Sequence, residues 1–268
     1  MKFTRRVFSA AALTAALALG ACGGGNDAPG NGQTGYERAS DRGLGSADAP
    51  VTMIEYASVA CGHCAAFHEE VYPTLKEDYI DTGRLRFVFR EMITGSPQFA
   101  IAGFSLAHCV PEDRYFDAVD LLFQQQRAIF QAAQTQGNAR GQYLAIARSL
   151  GLSEQDFMSC LNNEEINAEI VAAHDQAIAD GVDGTPRFMF NGEMLESRRA
   201  PGETEYTYFL GGRQLTIEGE PVPGRVDAET FSRIIEHLAA QAGGAATETS
   251  GETPEAETEE AGEGPEGE

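Results

Sequence analysis

Positive charge is what this chain has least of: 19 Lys and Arg stand against 41 Asp and Glu in 268 residues, a formal net charge of −22. Such a surface repels phosphate backbones and anionic headgroups, which argues against nucleic acid as a partner. Repeated metal-binding motifs are missing as well. There is one Cys-X-X-Cys, with no second one and no paired-histidine motif to complete a tetrahedral site, so no metal is expected. A zinc half-site completed by His63, His68 or His108 with Cys109 is the competing reading. The apolar run from Val7 to Ala21 falls short of the ~20 residues that cross a bilayer.

That run reads instead as the core of an export signal. Lys2, Arg5 and Arg6 precede it as a positive region, and Leu19-Gly20-Ala21-Cys22 follows as a bacterial lipobox. Residues 1–21 are therefore expected to be a signal peptide, with Cys22 lipidated and anchored in a membrane of the bacterial envelope. The alternative is an ordinary signal peptide with a chance cysteine. Thr4-Arg5-Arg6-Val7-Phe8 also resembles a twin-arginine export signal. Residues 22–42, opening on Gly23-Gly24-Gly25, suit a flexible tether. At the other end, Glu248–Glu268 holds nine glutamates and no Lys, Arg or large apolar residue, so residues 242–268 are expected to be a disordered acidic tail. Residues 43–241 remain as one folding unit.

Within that unit, Val51 to Ala57 is nearly continuously apolar, as a central buried strand should be. Ala65 to Tyr79 repeats Phe67, Val71 and Leu75 every four residues, a helix that Pro73 should kink. Thr82-Gly83 marks a turn before a second strand, Leu85 to Phe89. From Pro97 to Ala179 only helical periodicity appears, and Ser153 with Asp156 forms a capping pair for a helix carrying Phe157, Cys160 and Leu161. Strands resume at Arg187 to Phe190, Asn191-Gly192 signals a hairpin, and Gly211-Gly212 separates a further pair, Tyr206 to Leu210 and Arg213 to Ile217. Asp227 caps a last helix with Phe231, Ile234, Ile235 and Leu238 on one face. The fold class is α/β: a β-α-β half and a β-β-α half around a central sheet, with a helical subdomain inserted at 97–179.

With Cys22 assigned to lipid, four cysteines remain, and an oxidising compartment permits two disulfides. Cys61 and Cys64 form one pair. Cys109 and Cys160 each lie on the apolar face of a helix and form the other, against the alternative of two separate buried thiols. A Cys-X-X-Cys after a strand and opening a helix is a redox arrangement, because only the thiolate attacks a disulfide. The helix start favours an anion at Cys61, and His63 adds a donor or a positive charge. Cys64, one turn inside, is the shielded resolving thiol. Pro186 at the start of a strand is a candidate cis-proline that turns the Thr185 backbone toward a substrate beside Cys61. Glu55, a carboxylate in an apolar strand, should have a raised pKa and could relay the Cys64 proton; pairing with Arg86 or Arg90 is the alternative.

These residues resemble the DsbA family of the thioredoxin fold. The stretches that carry the likeness are Glu55 through His68, with Cys61-Gly62-His63-Cys64 at its centre, then Val88-Phe89-Arg90-Glu91, then Gly184-Thr185-Pro186 with Asn191-Gly192. The resemblance implies Cys61 as nucleophile, Cys64 as resolving thiol and His63 as thiolate stabiliser. It likewise implies Thr185 and Pro186 as the substrate-binding pair, Glu55 as the buried acid, and no cofactor. The chain departs from that branch at Gly62, where proline is usual, and in residues 193–226, which are longer than the usual connection. The implied function is a dithiol oxidase of reduced or unfolded exported proteins, reoxidised by a membrane quinone-linked partner. A reductase or isomerase supplied by a membrane reductant is the second reading, although no dimerisation module is visible. A substrate-binding chaperone or assembly factor is the third.

Overall fold

A computed structural model describes residues 35–249, with side chains to Gly243. The leader, Cys22 and the glutamate-rich end from Ser250 lie outside the described residues.

The sheet is built round β2 (Val51–Ala57), whose seven residues are all buried. It pairs in parallel with β3 (Leu85–Glu91) and antiparallel with β4 (Arg187–Phe190). β1 (Arg42–Leu44) closes one side against β3. On the other side β5 (Glu193–Arg199), β6 (Tyr206–Leu210) and β7 (Arg213–Gln214) extend the sheet to seven strands. Residues 193–226 thus supply three strands of the sheet and, within the same segment, a small ribbon of β8 (Thr216–Ile217) and β9 (Glu220–Pro221). Asn191 and Gly192 both take positive φ, 47° and 82°, as a tight primed turn between β4 and β5 requires.

Helix α1 (Gly62–Glu70) follows β2. The continuous kinked helix expected through Tyr79 is broken at Val71 (φ −115°), two residues before Pro73, which has no N–H to continue the ladder. A short α2 (Tyr72–Leu75) then widens into a π turn at Lys76–Ile80. Between β3 and β4 lie α3 (Pro97–Cys109), α4 (Tyr115–Gln136), α5 (Arg140–Ser149), α6 (Glu154–Leu161) and α7 (Glu164–Ala179). Ser153 and Asp156 form the reciprocal cap at α6. One core joins the β2 face bearing Met53 and Ala57 to α1, α3, α4 and the last helix, α8 (Ala228–Thr249). A smaller one, with Ile54, Tyr56 and Val88, packs against Ala177 and Val182 on the opposite face.

The ends of the folded unit differ from the expected 43 and 241. Residues 37–41 are tied down rather than loose. Arg86 donates to the Glu37 carboxylate at 2.9 Å, Arg90 to Asp41 at 2.6 Å, and Arg38 to Asp180 at 2.6 Å. Burying these ions is tolerated because each is paired. At the other end α8 runs on to Thr249, since the alanines between Ala239 and Ala246 favour helix before the glutamates begin.

Candidate functional site

The β2–α1 turn is held from three sides. Ser58 accepts the Cys61 N–H on its carbonyl at 2.9 Å, and its hydroxyl donates to the Thr94 carbonyl at 3.0 Å. Gly95 (φ +73°) lies so close that a Cβ there would overlap the Ala60 carbonyl oxygen. Gln126 of α4 donates to the carbonyls of Val59 and Cys61, at 2.9 and 3.0 Å. Sequence reasoning missed Gln126. A glutamine on the buried face of an amphipathic helix was the available signal, because a buried amide must find partners.

Cys61 is the N-cap residue of α1, in extended conformation. The Thr185–Pro186 bond is cis, and the Thr185 carbonyl accepts from Cys61 Sγ at 3.3 Å. The Cys64 thiol, the Thr185 side chain and the N–H groups of Cys64 and His63 all donate to the Cys61 sulfur. Against the cost of burial they hold its pKa near 5 instead of 9. Cys64 is buried, and that burial drives its pKa strongly upward, helped by the hydrogen bond to Cys61 and the charge of Glu55. Both are free thiols here. What His63 gives the sulfur is its backbone N–H, while its side chain is exposed at the rim of a groove.

Glu55 is wholly buried on β2, facing α1. Its Oε2 lies 2.9 Å from His68 Nε2, and its Oε1 has no partner. Burial raises the Glu55 pKa, with His68 opposing. Burial likewise works against charge on His68, but Glu55 and Asp120 outweigh it and bring that pKa to about 9. The pair therefore holds a proton at neutral pH. Neither Arg86 nor Arg90 reaches Glu55. Both sit on the β3 face that carries Val88, and they pair with Glu37 and with Asp41, whereas Glu55 is registered with Phe89 on the other face.

A groove of about 360 Å³ opens beside the Thr185–Pro186 bond, lined by His63, Phe67, Phe188, Leu195, Tyr208 and Val226. The 193–226 segment supplies one wall of it. Away from this end, Cys109 and Cys160 are joined with Cα atoms 5.8 Å apart, fastening the end of α3 to α6. Among the described residues no group of three His, Cys, Asp or Glu is arranged to hold a metal ion. His68 and His108 are engaged by Glu55 and Glu91.

Known proteins give the same picture. The Thioredoxin_4 family model, described as thioredoxin, matches residues 37–206. A putative protein-disulfide oxidoreductase of Rickettsia conorii is 32% identical over 156 residues, 57% of this chain and 54% of the relative. Disulfide bond formation protein D of Bacillus subtilis is 30% identical over 85 residues, 31% of this chain and 38% of that protein. The chain spans about half the length of the Rickettsia relatives it matches. Among solved structures, alpha-DsbA1 of Wolbachia pipientis superposes with a TM-score of 0.61 at 26% identity, covering 79% of this chain and 96% of that one. With a cysteine pair at the head of α1, a cis-proline opposite it and a family match over most of the folded unit, the chain belongs to the thioredoxin family, in its DsbA branch.

Proposed function

We propose that this protein is a thiol:disulfide oxidoreductase of the bacterial envelope that works as a dithiol oxidase on exported proteins. The observation that carries the reading is the asymmetry of one cysteine pair: Cys61 is partly open and held near pKa 5, while Cys64 is buried and held protonated. A stabilised thiolate stabilises the reduced form, which makes the disulfide the stronger oxidant.

In the oxidised protein a substrate thiolate attacks Cys61 Sγ. The Cys61–Cys64 bond breaks, a mixed disulfide forms at Cys61, and Cys64 leaves and takes a proton from Glu55. The substrate's second thiolate then attacks its own sulfur in the mixed disulfide, closing the substrate disulfide and releasing Cys61 as a thiolate. Two electrons have passed from substrate to the cysteine pair; one substrate proton is matched by that on Cys64, and the other goes to water. The Thr185 backbone beside Cys61 offers an edge to an extended substrate chain, and the groove past Pro186 takes its apolar side chains. A membrane quinone-linked partner restores the disulfide. Lipid on Cys22 would keep the protein within reach of it, since among the described residues no helix is long and apolar enough to cross a membrane.

The reduction potential tests the direction of the reaction. The account expects a value nearer the ~−120 to −180 mV of oxidising family members than the ~−270 mV of thioredoxin, together with oxidation of a dithiol peptide. A value near that of thioredoxin would make the protein a reductase. Cys64→Ala should trap mixed disulfides with envelope proteins in cells.

A further inference from the structure

Cys64 and Glu55 are both sealed from water, yet the reaction proposed above moves a proton to Cys64 in one half-cycle and off it in the other. Some group must connect them to solvent. Among the described residues four buried side-chain nitrogen or oxygen atoms have no hydrogen-bond partner, and three of them gather here: Glu55 Oε1, His68 Nδ1 and Tyr72 Oη. Buried polar atoms are almost always paired, so a cluster of exceptions calls for a function.

Among the described residues His68 is the group that spans the seal. It lies one turn past Cys64 on α1, its ring stacked on Phe123 (centroids 4.0 Å) and tilted against Tyr72 (4.7 Å). Phe87 and Phe89 of β3 close the apolar cage. Through that cage Nε2 touches Glu55, while Nδ1 points the other way, 3.8 Å from Asp120 Oδ1 of α4. The Asp120 side chain is 31% exposed, against 4% for His68. Both line a cleft of about 1240 Å³ between α1–α2 and α4, shared with Tyr72 and Lys76. The titratable groups facing His68 are Glu55 from β2, Tyr72 from α2 and Asp120 from α4, and Glu55 in turn feels the charges of Cys61 and Cys64.

We infer that His68 and Asp120 are a proton relay that connects the buried Cys64–Glu55 couple to solvent through the α4 cleft, a role that rests on the redox reading of Cys61 and Cys64. An imidazole suits the task because it accepts on one nitrogen as it releases from the other. When the pair is reoxidised, Cys64 gives its proton to Glu55, Glu55 passes one to His68 Nε2, and Nδ1 delivers one to Asp120 and water. Substrate oxidation runs the same path inward. No electron moves along it, and each group ends as it began. Asp120 is a positioning residue: it acts through His68 and touches no reacting sulfur.

The test is stopped-flow reaction of the reduced full-length protein with a chromogenic aromatic disulfide. The first coloured thiolate reports attack by Cys61 and is bimolecular; the second reports attack by Cys64 and is unimolecular. Asp120→Ala should slow the second phase about tenfold, less than the ~10²–10⁴ lost with a direct base, and flatten its pH profile. The first phase should not change. Formate, a small carboxylic acid that fits the vacated space, should restore the second phase. Asp120→Asn, which keeps the shape, should show the same slowing and guards against a folding defect. An unchanged second phase overturns the relay, and so does a slowed one that formate does not restore. If the native protein shows no unimolecular second phase, the redox reading itself has failed instead.

Discussion

Two buried glutamate–histidine pairs face the same side of the central sheet, and they are treated in opposite ways. Glu91, at the end of β3, accepts from the Tyr115 hydroxyl at 2.6 Å and sits 2.8 Å from His108 Nε2. His108 Nδ1 is 3.3 Å from Glu169, and the Arg42 guanidinium lies 4.6 Å above the Tyr115 ring. Neither Glu91 nor His108 leaves a buried atom unpaired. The next residue, Cys109, bonds to Cys160, so the last turn of α3 is fastened to the sheet by His108 and to α6 by its neighbour. The Glu55–His68 pair, two strand positions away in register, has an atom without a hydrogen-bond partner on each member. A satisfied pair is a clamp. One left open, beside a cysteine whose charge state must change, is what proton transfer needs.

That contrast can be broken from either side. Removing the disulfide with Cys109→Ser and Cys160→Ser frees a loop of 51 residues and should cost roughly 4 kcal/mol of unfolding free energy, read by denaturant titration, with Cys61 reactivity intact. Glu91→Gln should cost about 1–3 kcal/mol by mismatching the His108 and Tyr115 partners, again without altering thiol kinetics. Glu55→Gln should do the reverse: the Cys64 step slows at least tenfold in rapid mixing, while the protein stays folded. If Glu55→Gln unfolds the protein and Glu91→Gln slows the chemistry, the two pairs have been assigned the wrong way round.

The pH dependence follows from Cys61. Its folded pKa is depressed, so its contribution to the stability of the reduced protein is full above the ordinary thiol value of 9. It is lost as pH falls through about 5. The gap in melting temperature between reduced and oxidised protein should therefore narrow steadily from pH 9 to pH 5. Gly62→Pro is the smallest change. Gly62 opens α1, nothing lies within 4 Å of a Cβ there, and proline suits a first helical position. The substitution should add about 0.4–1 kcal/mol and make the disulfide more oxidising, since a firmer turn holds the donors on Cys61. An unchanged or lower potential would remove that explanation for the family's usual proline.

Much of this was legible in the sequence, because the signals were local. Five apolar residues in a run of seven made β2, the Ser153–Asp156 spacing made the α6 cap, and Asn191-Gly192 made the turn between β4 and β5. The partner of Glu55 was legible too, and it is neither of the arginines weighed as the alternative. Strand alternation puts Arg86 and Arg90 on the face away from Glu55, and helical spacing puts His68 directly behind Cys64. Asp120 could not be found that way, since nothing in α4 says which residue of α1 it will meet. The same holds for Glu193–Arg199, a largely polar strand that is sheet only because β5 continues from β4, whereas the hairpin of β6 and β7 across Gly211-Gly212 is where the sequence puts it.

The most direct test of the central asymmetry is the rate of alkylation of the reduced protein as a function of pH, with the labelled cysteine identified by peptide mapping. Label is expected on Cys61 alone, with a rate that rises to half its plateau near pH 5. A half-point near 9, or label on Cys64 first, would contradict it.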